Sequence, residues 1–296
     1  MRYKTPKALE QAVKAAAARS DRDTNRAIVG FYHDRFLCRV FATNEPAFVL
    51  KGGQSMLAKI PNARETRDVD LLGRTSDLNK ALSELKEAAA TDLGDFIDFR
   101  FRTAMPMDTS QDYRNGYTVT FDTWLGGTKR IGVVSVDLVV DPAQLDELET
   151  LCPVTRLDVA GLVCFDYVIN TPETHVAEKT YAVMQTYATG PSSRVKDLAD
   201  LVTSMLNERV ESEKLAGRLS IEASFRHMDP IGEFAVPAAW KTTLSGNYRK
   251  MAREAKLPPD LEDIFAAEAA VANWLRPVLK GEAKGYAWNP EKQAWI

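Results

Sequence analysis

The sequence predicts an α+β fold in which a mixed or mostly antiparallel sheet is followed by a mostly helical lobe. Three stretches between residues 95 and 140 alternate β-branched or aromatic residues with polar ones, which is typical of half-buried strands. After about residue 155 the apolar residues recur at helical spacing instead. This change of pattern predicts two domains, an α/β core over residues 1–165 and a helical lobe over residues 166–296.

Short strands and helices alternate in the first half of the chain. The glycine pair Gly52 and Gly53 ends a strand over residues 48–50, and a short helix is predicted after it. The sequence DVDLL is the next strand, and the helix that follows has Ser76 or Asp77 as its N-cap and Gly94 as its stop. The other predicted helices span residues 6–19, 22–43, 54–60, 173–188, 192–206, 208–217, 237–255 and 260–279.

The composition is that of an ordinary globular protein, with 296 residues, of which 45% are apolar and 27% are charged. Cys38, Cys152 and Cys164 are far apart in the sequence, which argues against a disulfide framework or a zinc site and fits a reducing cytoplasm. Neither a signal peptide nor a membrane-spanning stretch is expected. Because the net charge is −3, contact with a nucleic acid would depend on local clusters of Lys and Arg.

Two aspartates, Asp68 and Asp70, lie one residue apart in the predicted DVDLL strand. Residues i and i+2 of a strand point to the same face, so the two carboxylates project together. Asp137 lies in a second apolar strand, where an ionised carboxylate needs a partner. Three aspartates on neighbouring strands would form a site for Mg²⁺, which favours hard oxygen ligands. The simpler alternatives are a solvated strand end for the pair and a structural or edge position for Asp137.

Gly52, Gly53 and Ser55 lie between a strand and a helix, upstream of the aspartate pair. A glycine turn at the start of a helix lets backbone N–H groups approach phosphate oxygens, and Ser55 would add a hydroxyl donor. The spacing fits neither the P-loop pattern nor the dinucleotide-binding pattern. The turn is therefore a candidate for phosphate binding outside those two classes.

Basic residues form two candidate groups for contact with RNA or nucleotide phosphates. Arg64 and Arg67 lie in the loop before the aspartate strand, where phosphate contact and plain solvation both account for them. The densest basic stretch is YRKMAREAK, in which Arg249, Lys250 and Arg253 share a broad helical face. A solvated helix surface is the alternative for this stretch.

The glycine pair, the DVD sequence and the later VDL sequence together resemble the pattern of polymerase-β-like nucleotidyltransferases. The second half makes the resemblance more specific. The sequence HVAEKTYAVMQTYATGPSSRVKDLADL is similar to the AEK and R-x-(K/R)-D-L-x-D-L signature of the AbiEii-type nucleotidyltransferase toxins, which include the MenT toxins. The resemblance spans roughly residues 45–280.

The resemblance implies a polymerase-β-like core and a cytoplasmic toxin of a toxin–antitoxin or abortive-infection system, with a cognate antitoxin encoded nearby. Such a toxin transfers a nucleotide from an NTP to RNA with Mg²⁺ as cofactor. The expected target is the 3′ acceptor end of tRNA, and the consequence is inhibition of translation and growth. The resemblance makes Asp68, Asp70, Lys179 and Asp197 the catalytic residues and makes Lys179 a ligand of the nucleotide phosphates.

The predicted site therefore has three parts. The metal ligands are Asp68, Asp70 and Asp137. The nucleotide-binding residues are Gly52, Gly53, Ser55, Arg67 and Lys179. The candidate RNA-binding residues are Arg64, Lys196, Arg249, Lys250 and Arg253, and the helical lobe is expected to complete the active site.

Other interpretations of these residues remain open. Spacing alone makes Lys179 part of a packed helix and makes Arg194 and Asp197 a surface ion pair. At the level of function, a superfamily member that modifies a small molecule or a protein hydroxyl is one alternative. A catalytically inactive nucleotide-binding regulatory module and a metal-dependent nuclease are the others.

Overall fold

The computed structural model describes residues 3–107, 116–140, 147–188 and 190–296. A seven-stranded mixed sheet with helices is followed by a mostly helical region, so the predicted α+β fold class is confirmed. The described residues form two compact units, the first made of 3–61, 66–107, 116–140 and 147–169, the second of 62–65, 170–188 and 190–296. The predicted domain boundary after residue 165 stays a prediction, because compactness does not test independent folding.

The first unit is built on the seven-stranded sheet. Its elements are α1 (Pro6–Arg19), α2 (Thr24–Val40), β1 (Phe48–Lys51), α3 (Gly52–Lys59), β2 (Asp68–Gly73), α4 (Leu78–Ala89), β3 (Ile97–Pro106), β4 (Gly116–Leu125), β5 (Lys129–Val140), β6 (Leu148–Leu151) and β7 (Tyr167–Asn170). The strand order is β3-β4-β5-β2-β1-β7-β6. Strands β2 and β5 are parallel neighbours inside the sheet, although α4, β3 and β4 separate them along the chain.

The helix predicted over 22–43 spans Thr24–Val40, and two further predicted helix ends in this unit are wrong. Helix α3 begins directly at Gly52, so the glycine pair forms its first turn instead of a loop before it. Helix α4 begins as predicted after Asp77, whose carboxylate accepts hydrogen bonds from two backbone N–H groups of the first turn. It ends at Ala89, because Gly94 belongs to the next turn, where its N–H donates to Asp92.

The core of the first unit lies on one face of the sheet, under α1, α2 and α4, and includes the buried rings of Phe36 and Phe121. Two arginines of α2 are also buried and share one carboxylate. Arg35 Nε lies 2.7 Å from Asp95 Oδ2, and Arg39 Nη2 lies 2.7 Å from Asp95 Oδ1. Buried charges of this kind are tolerated because they are paired.

The second unit is mostly helical. Its elements are α5 (Pro172–Met184), β8 (Thr186–Tyr187), β9 (Gly190–Pro191), α6 (Val195–Asn207), β10 (Val210–Glu211), α7 (Ser212–Phe225), α8 (Trp240–Thr243), α9 (Ser245–Glu254), a 3₁₀ turn (Pro259–Glu262), α10 (Ile264–Leu279), β11 (Ala287–Asn289) and β12 (Ala294–Trp295). The chain after α10 returns to the helices, since the Trp288 indole N–H donates to Met205 O and that of Trp295 donates to Trp274 O.

The helices predicted over 192–206 and 260–279 begin at Val195 and Ile264, and three other predicted helices of this unit differ more from the observed ones. The helix predicted over 173–188 ends at Met184, and the residues after it form the strand β8. The helix predicted over 208–217 is preceded by strand β10 and extends to Phe225. The helix predicted over 237–255 is two helices that meet at Leu244.

Candidate functional site

The three predicted metal ligands lie on one face of the sheet in the first unit. In the parallel register of β2 and β5, Asp70 lies opposite Asp137 and Asp68 lies opposite Ser135. Directly paired residues of adjacent strands point to the same face, so the carboxylates are on the face opposite to that of the buried Val69. Asp70 and Asp137 are half-buried and Asp68 is exposed.

The row of paired residues continues on both sides of these aspartates. Lys51 of β1 lies opposite Asp70, and Thr118 of β4 lies opposite Asp137. The Thr118 hydroxyl donates a 2.9 Å hydrogen bond to Asp137 Oδ1. Lys51 is only 7% exposed, so a lysine is buried in the row beside the carboxylates. Lys51 is not among the site residues predicted from the sequence, although its position just before the glycine pair was the available signal.

The glycine pair holds the backbone close to Asp70. Gly52 has φ +62°, and a Cβ atom there would lie 2.0 Å from Asp70 Oδ2. A side chain is therefore excluded both by the left-handed backbone and by the carboxylate. The buried Ser55 hydroxyl donates to Gly52 O at 2.8 Å and so fixes the same turn.

The donors on this face fit a hard cation. All three candidate ligands are carboxylates, which suit Mg²⁺ better than a softer metal. Among the residues that the structure describes, the oxygens of the three carboxylates are not all within 4.8 Å of one another. Asp70 and Asp137 are the pair that the register brings side by side, and Asp68 lies two residues further along β2.

Lys179 and Asp197 lie in the second unit, on α5 and α6. Lys179 is buried, and its Nζ lies 2.6 Å from Asp197 Oδ1 and 3.1 Å from Asp200 Oδ2. Burial would lower the pKa of Lys179, but the charges of Asp197 and Asp200 outweigh it and hold the pKa above its ordinary value. The lysine is therefore kept protonated inside the protein.

Two arginines complete this charged network. Arg194 Nε donates to Asp197 Oδ2, and the guanidinium of Arg64 donates twice to Asp200, at 3.2 Å each. Although burial opposes it, the charges of Lys179 and Arg194 keep the pKa of Asp197 far below its usual range. Asp197 is fully buried, so the alternative of a surface ion pair is wrong. Ion pairs thus join Lys179, Arg194 and Arg64 to Asp197 and Asp200.

Comparison with known proteins identifies the family. A family model described as the nucleotidyl transferase AbiEii toxin of type IV toxin–antitoxin systems matches residues 35–270. The chain belongs to the AbiEii nucleotidyltransferase toxin family. The family expected from the AEK and RVKDLADL motifs is thereby confirmed.

Two solved structures resemble the AbiEii-family chain at low identity. One is a protein from H. pylori assigned provisionally to the nucleotidyltransferases, with 16% identity, a TM-score of 0.46, and coverage of 88% of this chain and 98% of the other. The second is JHP933 from Helicobacter pylori, with 14% identity, a TM-score of 0.44, and coverage of 89% and 96%. No curated protein is significantly similar to this chain in sequence.

The basic residues predicted to contact RNA have different environments in this AbiEii-family protein. The guanidinium of Arg64 is engaged by Asp200, as described above. Lys196 of α6 is exposed, as are the basic residues of α9. Of these, Arg253 Nε lies 2.7 Å from Glu262 Oε2. Arg67 is exposed just before β2. None of the helices that the structure describes is long and apolar enough to cross a membrane.

Proposed function

We propose that this AbiEii-family toxin transfers a nucleotide from an NTP to the 3′ end of an RNA, with the acceptor end of tRNA as its target. The reaction is Mg²⁺-dependent and releases pyrophosphate. The observation that supports it most is the register of the sheet, in which Asp70 lies between Asp137 and Lys51. Carboxylates on adjacent strands, about 4.8 Å apart, repel each other unless a cation compensates them.

Asp68, Asp70 and Asp137 would hold the metal ion. When bound, Mg²⁺ neutralises phosphate charge and makes a hydroxyl a better nucleophile. The protein's own contribution is to hold the carboxylates in place. Thr118 restrains Asp137 through a hydrogen bond, and the backbone at Gly52 packs against Asp70. Lys51 offsets part of the negative charge before a cation binds.

Nucleotide phosphates are proposed to bind at the start of α3. The first N–H groups of a helix have no partner within the helix and favour an anion. Gly52 and Gly53 add no side chains of their own to this turn, and Arg67 supplies an exposed charge on the same unit. Because Ser55 uses its hydroxyl proton on Gly52 O, its proposed part is to shape the turn.

Lys179 is proposed to stabilise charge on the leaving pyrophosphate. A buried cation in a low-dielectric environment acts strongly on a developing negative charge. Asp197 and Asp200 hold the ammonium group in place and keep it protonated. Asp197 is therefore a positioning residue in this proposal, since it acts through Lys179.

Exposed basic residues are proposed to bind the RNA, and a partner, the antitoxin, is proposed to control the toxin. Lys196, Arg249, Lys250 and Arg253 are exposed, as contacts with an RNA backbone require. Arg64 is assigned to the network with Asp200 in preference to RNA. The toxin family implies a cognate antitoxin, which we expect to be encoded nearby, and the site of action is proposed to be the cytoplasm.

A labelling experiment tests this function. The purified protein, total tRNA and Mg²⁺ are incubated in separate reactions with each of the NTPs labelled at the α-phosphate. Label is expected in tRNA with the wild type and is expected to be lost with Asp70→Asn and with Lys179→Met. Asp122→Asn is the matched control, because Asp122 is a carboxylate of the same sheet that pairs with Arg130. That surface pair contributes little to stability, so this variant should stay active.

Each other outcome favours a different function. Label on a protein or on a small molecule would show that this molecule, and not RNA, is the substrate. Shortened RNA without label would favour a nuclease. If labelled NTP does not bind in the presence of Mg²⁺, the protein is an inactive module and the proposal fails. Retained activity in Asp70→Asn would show that the carboxylates have been misassigned.

A further inference from the structure

All three cysteines of the chain lie around two arginines of the first unit. Arg156 Nη2 lies 3.7 Å from Cys38 Sγ, and Arg156 Nη1 lies 3.8 Å from Cys152 Sγ. Arg35 Nη1 lies 3.7 Å from Cys164 Sγ. The sulfur atoms of Cys38 and Cys164 are within 4.8 Å of each other. Residues that are far apart in the sequence therefore form a close thiol pair beside two cations.

The two sulfur atoms of the pair have different environments. Cys38 is buried on α2, whereas Cys164 is exposed in a segment without regular secondary structure before β7. A hydrogen bond from Cys38 lowers the pKa of Cys164 to about 6 against the effect of burial, and the charges of Arg156 and Arg35 add to this. The same hydrogen bond, together with burial, raises the pKa of Cys38. Cys164 is therefore the more readily ionised and more accessible thiol of the pair.

The surroundings disfavour a metal ion at this cluster. Asp34 lies close to both sulfur atoms and would be the third ligand. However, Arg156 Nε already lies 2.7 Å from Asp34 Oδ1, and the Tyr167 hydroxyl donates to the same oxygen at 2.6 Å. A divalent cation would have to displace a guanidinium and would then be repelled by it. Arginine near sulfur instead stabilises a reactive thiolate.

We propose that Cys38 and Cys164 form a modification site that reacts with a hydroperoxide and closes to a reversible disulfide. The Cys164 thiolate attacks the O–O bond, an S–O bond forms, and the leaving hydroxide or alkoxide takes up a proton. Cys38 sulfur then attacks Cys164 sulfur, the S–O bond breaks, and hydroxide leaves as water with the Cys38 proton. Two thiols are oxidised and one peroxide is reduced.

The location of the pair makes closure feasible. The sulfur atoms must approach from within 4.8 Å to about 2 Å, and the irregular segment at Cys164 can supply this movement. The bond would tie α2 to the residues just before β7. Strand β7 is the parallel neighbour of β1, so the crosslink would restrain the chain just before a strand that pairs with β1.

The test uses the full-length protein and hydrogen peroxide, with Cys152→Ser as the matched control. Cys152 is also exposed and near Arg156, but it is not in the pair. We expect peptide mapping without reductant to show the Cys38–Cys164 disulfide in the wild type and in Cys152→Ser, and dithiothreitol to reverse it. Cys164→Ser should lower the rate of thiol loss about tenfold or more, since the thiolate is the nucleophile. Cys38→Ser should leave a sulfenic acid at Cys164 that dimedone traps.

Several results would overturn the proposal. Oxidation of Cys152 at the rate of Cys164 would show that exposure alone decides reactivity. Overoxidation of Cys164 in the wild type without a disulfide would show that Cys38 does not reach it. Zinc that copurifies and protects both thiols from alkylation would make the cluster a metal site. The disulfide map of the wild type decides the matter even where a buried Cys38→Ser variant does not fold.

Discussion

Gly52→Ala is the substitution that tests most directly how the glycine turn and Asp70 are coupled. Alanine at this position must adopt φ +62°, which costs a non-glycine residue about 1–2 kcal/mol. Its Cβ would also lie 2.0 Å from Asp70 Oδ2, where ordinary contact needs about 3.4 Å. The carboxylate therefore has to move by about 1.4 Å, and overpacking of this kind costs about 1–3 kcal/mol. The expected loss of unfolding free energy is about 2–5 kcal/mol.

Gly281→Ala separates the two contributions. Gly281 also has a positive φ, +72°, but a Cβ there meets nothing within 4 Å. In urea unfolding, Gly281→Ala should therefore lose only the unfolding free energy that the positive φ costs, about 1–2 kcal/mol. Binding of an NTP with Mg²⁺ should weaken about tenfold or more in Gly52→Ala and should be unchanged in Gly281→Ala, because only the first displaces a proposed ligand.

A double variant gives the decisive comparison. Asp70→Ala removes the carboxylate and leaves the Asp70 Cβ 3.2 Å from the new methyl group. In the Gly52→Ala background it should therefore restore about 1–3 kcal/mol of stability, so the two substitutions will not be additive. Equal destabilisation by Gly52→Ala and Gly281→Ala, or additive effects of the two substitutions at 52 and 70, would refute this reasoning.

Three further predictions concern the buried charges. Asp95→Ala leaves two buried arginines without their shared carboxylate and should lower the free energy of urea unfolding by about 3–5 kcal/mol. A decrease below about 1 kcal/mol would contradict the pairing of both arginines with Asp95. In the folded protein, burial and the charge of Lys179 lower the pKa of His175 to about 4. As the pH falls, this histidine is therefore protonated in the unfolded protein before it is protonated in the folded protein. The unfolding free energy should decrease by about 3 kcal/mol between about pH 6.5 and pH 4. This decrease should be absent in His175→Gln. Lys179→Met leaves two anions facing two arginines, whereas Asp197→Asn leaves three cations around one anion. Lys179→Met should therefore have the higher melting temperature, and the reverse order would refute the network.

The sequence predicts part of the carboxylate site, and the reason is local. A strand has a side-chain period of two, so Asp68 and Asp70 share a face whatever the rest of the fold does. The position of Asp137 relative to Asp70 does not follow from neighbouring residues in the sequence, because it depends on which strands pair. Strands β2 and β5 are separated by α4, β3 and β4, and only the packing of the whole sheet brings Asp137 opposite Asp70.

Lys51 and the cysteines show two other limits of sequence reasoning. An apolar run that ends in lysine and glycine is interpreted as a strand with a solvated end. Strand β1 instead lies between β2 and β7, and Lys51 is buried there. The spacing of Cys38 and Cys164 argues against a linked pair, yet residues on a helix and on a distant segment meet once both pack against the same sheet. Separation in the sequence is not a measure of distance in a folded α+β unit.

The carboxylate face and the Lys179 network suit the two parts of a metal–nucleotide substrate. On the face of the sheet, Asp68, Asp70 and Asp137 offer the hard oxygen ligands that a divalent cation prefers. In the second unit, Asp197 and Asp200 keep Lys179 protonated although it is buried, and a buried ammonium group attracts phosphate oxygens strongly. Each group therefore supports the proposed nucleotide transfer through a different part of the substrate.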